Sequence, residues 1–110
     1  MGRFDGRTAI VTGAGSGFGR AIAMQLAREG AALVLADVHV DNGEKVLAEI
    51  MSAGGQAIFT RTNVAIAAEV EQMVNTCIEH YGRVDVLVNN AGISHLSMLM
   101  WKLPEADFDG

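Results

Sequence analysis

The 110-residue chain holds one cysteine, one proline, one tyrosine and one tryptophan, and its positive charge comes from two lysines and six arginines. Cys77 alone can close no internal disulfide and matches no zinc-ligand spacing, which fits a reducing compartment. Lys45 and Lys102 beside scattered arginines form no basic stripe that could follow a nucleic-acid backbone. The formal charge of -5 and pI near 5.0 agree, so nucleic acid is not an expected partner. Half of the residues are hydrophobic and the mean hydropathy is +0.26. Yet apolar runs extend only a few residues, far short of the roughly 18 that suggest a membrane span. The opening Met1-Gly2-Arg3-Phe4-Asp5-Gly6 lacks an apolar signal region, and Gly6 stands where a myristoylation signal requires Ser or Thr. The expected setting is cytoplasmic, with no membrane partner.

What is present is an alternation of short apolar runs with longer amphipathic stretches, the pattern of βα units around a parallel sheet. Strands are expected at residues 8–11, 33–37, 57–61 and 84–89, each rich in Val, Ile, Leu or Ala as suits strands covered on both faces. A first helix is expected over 17–29, with Ile22, Ala23, Leu26 and Ala27 inward and Gly30 as its stop. A second spans 41–52, with Val46, Leu47 and Ile50 inward before Gly54-Gly55. The third has the cleanest period, Val70, Met73, Val74, Cys77, Ile78 and Tyr81, and stops at Gly82. After Gly92 the signal weakens, and residues 96–110 read as the start of an incomplete following helix with Pro104 in its first turn. Right-handed crossovers then give an α/β, doubly wound parallel sheet of about four strands in the order 3-2-1-4, with later strands missing. Its ligand crevice lies over the carboxyl ends of strands 1 and 4, where the order reverses.

Three groups of residues point toward that crevice. Thr12-Gly13-Ala14-Gly15-Ser16-Gly17-Phe18-Gly19 joins the first strand to the first helix. A turn with so few side chains lets backbone N–H groups approach a pyrophosphate, and the helix behind it directs its positive dipole end at the same charge. Phe18 breaks a strict G-x-G-x-x-G reading, so the match is to T-G-x-x-x-G-x-G. Asp37 ends the second strand eighteen positions beyond Gly19, close to the ~20-residue spacing of a carboxylate that binds an adenosine ribose. Its charge repels a 2′-phosphate, and neither Ser16 nor Val38 supplies a compensating cation, so NAD is preferred over NADP. Asn89-Asn90-Ala91-Gly92 leaves the fourth strand beside the crevice, where amides satisfy backbone groups and the small residues admit a ribose.

These motifs, in this order, resemble the short-chain dehydrogenase/reductase family over essentially the whole chain. The resemblance implies a Rossmann fold, a nicotinamide cofactor and reversible oxidation of alcohols to ketones. It implies that Gly13, Gly17 and Gly19, with Ser16 and Phe18 between them, shape the pyrophosphate turn. It further implies that Asp37 and Val38 hold the adenosine ribose, and that Asn89, Ala91, Gly92 and Ile93 flank the cofactor riboses and the nicotinamide. Asn63-Val64 falls where the family usually has Asp-Val against adenine; the amide oxygen of Asn63 keeps an acceptor, so weaker selectivity is expected rather than lost binding.

The family's Tyr-x-x-x-Lys pair, which moves the substrate proton, has no match. The sole tyrosine is Tyr81, and Asp85 stands four positions on. Ser94, His95 and Ser97 follow the cofactor turn with no identifiable partner base, so no catalytic residue and no metal site is assigned. The chain reads as a dinucleotide-binding half, residues 1–110, expected to bind but not to turn over. Small alcohol or carbonyl substrates belong to the complete enzyme. Ending at Gly110 is expected to leave strand four as an open edge and to expose Leu96, Met98, Leu99, Met100, Trp101 and Leu103, which invites homo-oligomerisation. Two alternatives stay open. One is a non-catalytic module or split-enzyme half. The other is an adenosylmethionine-binding methyltransferase fragment, disfavoured because Ile10-Val11-Thr12 supplies no carboxylate at the end of strand 1.

Overall fold

A computed structural model describes residues 2–90 and the backbone of residues 99–102. Four strands, β1 (Thr8–Thr12), β2 (Ala32–Asp37), β3 (Gln56–Arg61) and β4 (Val86–Asn89), pair in parallel in the expected order 3-2-1-4. Helices α1 (Gly17–Arg28), α2 (Val40–Ser52) and α3 (Ala67–Tyr81) connect them. The sheet is sandwiched because successive side chains of a strand point to opposite faces. Ala9, Val11, Leu33 and Leu35 share one core with Ala23 and Leu26 of α1 and Val46 and Ile50 of α2. Ile10, Val34 and Ala36 share the other with Met73 and Cys77 of α3. All five residues of β1 are buried, and Ala9, Ile10 and Val11 between its two threonines make the apolar run of a central parallel strand. Full burial of each Leu or Ile side chain here stabilises the fold by about 1.5–3 kcal/mol before entropy is counted.

Local chemistry sets the helix ends. The Ser16 hydroxyl accepts the Gly19 N–H at 3.3 Å and caps α1. Gly82, at φ 85°, adopts the left-handed conformation that ends α3, and its N–H returns to the Ile78 carbonyl at 2.8 Å.

The structure departs from the sequence expectations in three places. Ile78 is 45% exposed rather than inward. One residue past buried Cys77 turns about 100° around the helix, beyond the narrow stripe that touches the sheet. At the sheet edge, β3 is only half covered on its middle residues, although Ala57 is buried. Residues 99–102 were expected to lie within the start of a helix but form a fifth strand, β5 (Leu99–Lys102), antiparallel to β4. Its pairing, Val86↔Lys102 through Asn89↔Leu99, satisfies backbone groups along the edge of β4 that was expected to lie open. The rest of the expected helix, residues 103–110 with Pro104, lies outside the described residues, as do Leu96 and Met98.

Candidate functional site

The carboxyl ends of the four parallel strands surround a crevice of about 580 Å³. Gly13, Gly15 and Ser16 come from the β1–α1 turn, and Asp37, Val38, His39 and Asn42 from the end of β2 and the start of α2. Thr62, Asn63 and Val64 follow β3, and Asn90 follows β4. The crevice therefore sits at the reversal of strand order, where the two crossover directions part.

The glycines of the turn do different jobs. Gly13 adopts φ 64°, a conformation that side chains rarely take. A Cβ on Gly19 would collide with the Gly13 carbonyl and lie 2.9 Å from Asn90 Nδ2, so Gly19 lets α1 pack under the turn. A Cβ on Gly15 would meet Asn42 Cβ at 2.7 Å and Asp37 Oδ2 at 3.0 Å. A Cβ on Gly17 would meet nothing within 4 Å, so the fold itself does not require glycine there. Behind the turn, α1 has no acidic residue in its first turn, whereas α2 has Asp41 and α3 has Glu69. Of the three helices, α1 alone presents a positive dipole end that no carboxylate of its own first turn offsets.

Hydrogen bonds tie the crevice walls together. Asp37 Oδ2 accepts the Gly15 N–H at 2.8 Å, and Oδ1 accepts the His39 N–H at 2.9 Å. A carboxylate has about four acceptor sites, so the two bonds orient the group and leave capacity for hydroxyl donors. On the other side, Thr12 Oγ1 donates to Asn89 Oδ1 at 2.9 Å and accepts the Asn90 N–H at 2.8 Å. That hydroxyl joins the end of β1 to the end of β4. Ser16 Oγ donates to the Gly13 carbonyl at 2.8 Å, closing the turn on itself. Asn63 Oδ1 accepts the Ala65 N–H at 2.9 Å and its own N–H donates to Glu69 Oε1 at 2.8 Å. The Asn63 acceptor thus already shapes a local turn and keeps one lone pair for anything else.

Among the expected site residues, Gly13, Ser16, Asp37, Val38, Asn63 and Val64 come together as lining. Gly17, Phe18, Gly19 and Asn89 belong to the same walls without lining the space; Phe18 is 55% exposed, and Asn89 anchors Thr12. Ala91, Gly92 and Ile93 lie outside the described residues, as do Ser94, His95 and Ser97. Sequence reasoning passed over Gly15, His39, Asn42, Thr62 and Asn90 as site residues. Gly15 and Asn90 stood inside the motifs; His39, Asn42 and Thr62 carry no local signal and arrive only through packing.

Tyr81 does not line the crevice. Its hydroxyl donates to the Leu33 carbonyl at 3.2 Å, and burial first, then Cys77, raise its pKa above the ordinary phenol range. Burial, with the charge of Asp85 adding, pushes the Cys77 thiol up to about 12, and its Sγ–H donates to the Arg83 carbonyl at 3.3 Å. Among the described residues, no group of three or more His, Cys, Asp or Glu could hold a metal ion, and no helix is long and apolar enough to cross a membrane.

A glycine turn, an acid at the end of β2 and an amide pair after β4, set on a 3-2-1-4 parallel sheet, define a Rossmann-type α/β protein. The family model for short chain dehydrogenase matches residues 7–109, and the chain belongs to that family. It is 42% identical over 90 residues to the 7alpha-hydroxysteroid dehydrogenase of Escherichia coli (strain K12), covering 82% of this chain and 35% of that protein. It is 40% identical over 108 residues to the 3beta-hydroxysteroid dehydrogenase of Mediterraneibacter gnavus, covering 98% of this chain and 39% of that protein. A short chain dehydrogenase/reductase from Burkholderia phymatum, solved in complex with NAD, superposes with TM-score 0.80 at 43% identity, covering 84% of this chain and 33% of that one. A 7 alpha-hydroxysteroid dehydrogenase complexed with NADH and 7-oxo glycochenodeoxycholic acid superposes with TM-score 0.80 at 42% identity, over 82% and 35% of the two chains. The chain thus spans little more than a third of the length of these relatives.

Proposed function

We propose that residues 1–110 are the dinucleotide-binding portion of an oxidoreductase that moves hydride between an alcohol and a ketone, with NAD preferred over NADP. The observation that carries this reading is the Asp37 carboxylate, oriented in the crevice by the Gly15 and His39 N–H groups beside the glycine turn. A nicotinamide dinucleotide fits that donor set. Asp37 offers acceptors to the hydroxyls of a ribose, and its charge disfavours a phosphate there. Gly17 leaves open space above an α1 end free of first-turn acid, which suits a pyrophosphate. Val38 and Val64 give apolar lining near Asn63 for an adenine, and Asn89, Ala91, Gly92 and Ile93 complete the ribose and nicotinamide side by family resemblance. When bound, the cofactor supplies a hydride donor or acceptor at its nicotinamide ring.

Relatives solved with NAD, or with NADH and an oxo steroid acid, support the cofactor class. The substrate of the complete enzyme is a small alcohol or carbonyl compound. Tyr81 is engaged with the sheet and followed four positions on by Asp85, so these residues by themselves are expected to bind without turnover. A homo-oligomer in the cytoplasm is the expected setting. Titration calorimetry with NAD, NADP and adenosylmethionine tests the reading. Tightest binding of NAD supports it, and binding of adenosylmethionine in preference to either dinucleotide overturns it.

A further inference from the structure

Of the described residues that line the crevice, only Asp37 and His39 carry titratable side chains. The pair is uneven: the Asp37 side chain is 10% exposed and that of His39 is 59% exposed. His39 Nδ1 lies 3.9 Å from Asp37 Oδ1, the same oxygen that accepts the His39 N–H at 2.9 Å. Although His39 holds the N-cap position of α2, its side chain makes no capping hydrogen bond, so the ring is not tied to the helix. The charges on the surrounding elements are few. Asp41 stands in the first turn of α2, with Glu44 and Lys45 after it. Arg61, the register partner of Asp37 on β3, pairs with Glu69 of α3 at 3.7 Å. On α1, Arg20 donates two hydrogen bonds to Glu49 of α2, both at 2.8 Å. The turns after β1, β3 and β4 contribute only Gly, Ser, Thr, Asn and Val to the described lining.

We propose that His39 makes dinucleotide binding pH-dependent, by competing with the ribose hydroxyls for Asp37 when its ring is protonated. The inference rests on the dinucleotide reading of the crevice. Histidine is the side chain whose ordinary charge change falls between about pH 5 and 8. At 3.9 Å from Oδ1 the ring is beyond hydrogen-bond reach. With two backbone N–H groups bound, the carboxylate then keeps about two acceptor sites, as many as the two hydroxyls of a ribose require. A protonated ring carries a donor on each nitrogen and a charge, and an exposed side chain can close the remaining gap to donate a charge-assisted bond. One acceptor site is then lost to the ribose. So exposed a pair adds little to folding stability, and its consequence falls on the ligand. Proton and ribose therefore oppose one another at Asp37: affinity falls as pH falls, and binding of a dinucleotide expels the proton.

The test is titration calorimetry of NAD against the full chain from about pH 8 to about pH 5.5, each point taken in buffers of different ionisation heat. NAD affinity is expected to fall about fivefold across that range, the effect of one lost hydrogen bond, and binding near its middle to release part of a proton to the buffer. His39→Gln keeps a polar side chain without the titration, and its affinity is expected to change by less than about twofold over the same range, with no proton released. His39→Ala is a second variant with the same expected flat profile, so a folding defect in one does not remove the test. NAD affinity that is independent of pH, that rises on acidification, or that falls equally in both variants overturns the role of His39 and leaves the dinucleotide reading standing. No binding of NAD at any pH overturns both.

Discussion

Two aspartates sit at opposite ends of the same sheet, and they use their charge in opposite ways. Asp85, just before β4, has a side chain 1% exposed and is filled from within the fold. It accepts the Thr8 N–H at 2.8 Å, Arg83 Nε and Nη2 at 3.1 and 2.6 Å, and pairs with Arg7 at 3.9 Å. Asp37, at the far end of β2, has a side chain 10% exposed and accepts two backbone N–H groups while facing the crevice. Asp85 locks the start of β1 to the start of β4, the pair of strands whose other ends the Thr12 hydroxyl joins beside the crevice. The closed carboxylate is used up within the fold, whereas the open one keeps acceptor capacity toward the crevice, although both are single acids at strand ends.

Substitution should separate the two most sharply at the closed end. Asp85→Ala strands the buried Thr8 N–H and removes the Asp85 hydrogen bonds to Arg83, and is expected to cost about 3 kcal/mol in urea unfolding. A loss below about 1 kcal/mol would mean that the ends of β1 and β4 hold without it. Gly19→Ala forces a methyl group into the Gly13 carbonyl and is expected to cost about 2 kcal/mol and to abolish dinucleotide binding. Gly17→Ala makes the contrast, since its Cβ meets open space: stability should stay within about 0.5 kcal/mol while affinity falls, and equal stability losses in the two variants would erase the distinction.

At the open end, Asp37→Ala is expected to lower the NAD to NADP affinity ratio by about tenfold, or about 1.4 kcal/mol, with a smaller effect on unfolding than Asp85→Ala. An unchanged ratio in competition binding would remove Asp37 from the specificity argument. The smallest effect lies in the core beside Asp85. The thiol of Cys77 is raised from 9.0 to about 12 in the fold, so its contribution is complete below about pH 9 and is lost as pH rises toward 12. Stability is expected to fall by roughly 1 kcal/mol between pH 8 and pH 10, and Cys77→Ala should flatten that slope in parallel unfolding curves.

How far the fold could be read in advance depended on whether the signal was local. The β1–α1 turn, the buried run of β1 and the stop at Gly82 follow from glycine conformation and apolar period, and all were legible. The exposure of Ile78 was not, because a period of 3.6 marks a stripe without stating its width. The β5 pairing was not, because the edge it covers belongs to β4, whose paired residues lie 10 to 16 positions earlier. The meeting of Asp37 with the glycine turn at one crevice was legible from their spacing and order. The Thr12 hydroxyl bridge to Asn89 and Asn90 was not, since it spans 77 and 78 positions.

Residue order and elementary chemistry were therefore enough for the element types, the 3-2-1-4 order and the placing of a glycine turn and an acid at one crevice. Periodicity, glycine conformation and crossover handedness act over a few residues or as general rules, so they can be read from a string of letters. The closure of Asp85, the Thr12 link between β1 and β4 and the pairing of Arg20 with Glu49 came only with the folded chain. Each depends on groups 29 to 77 positions apart meeting at hydrogen-bond distance. Only the packing of helices on a twisted sheet brings such pairs together.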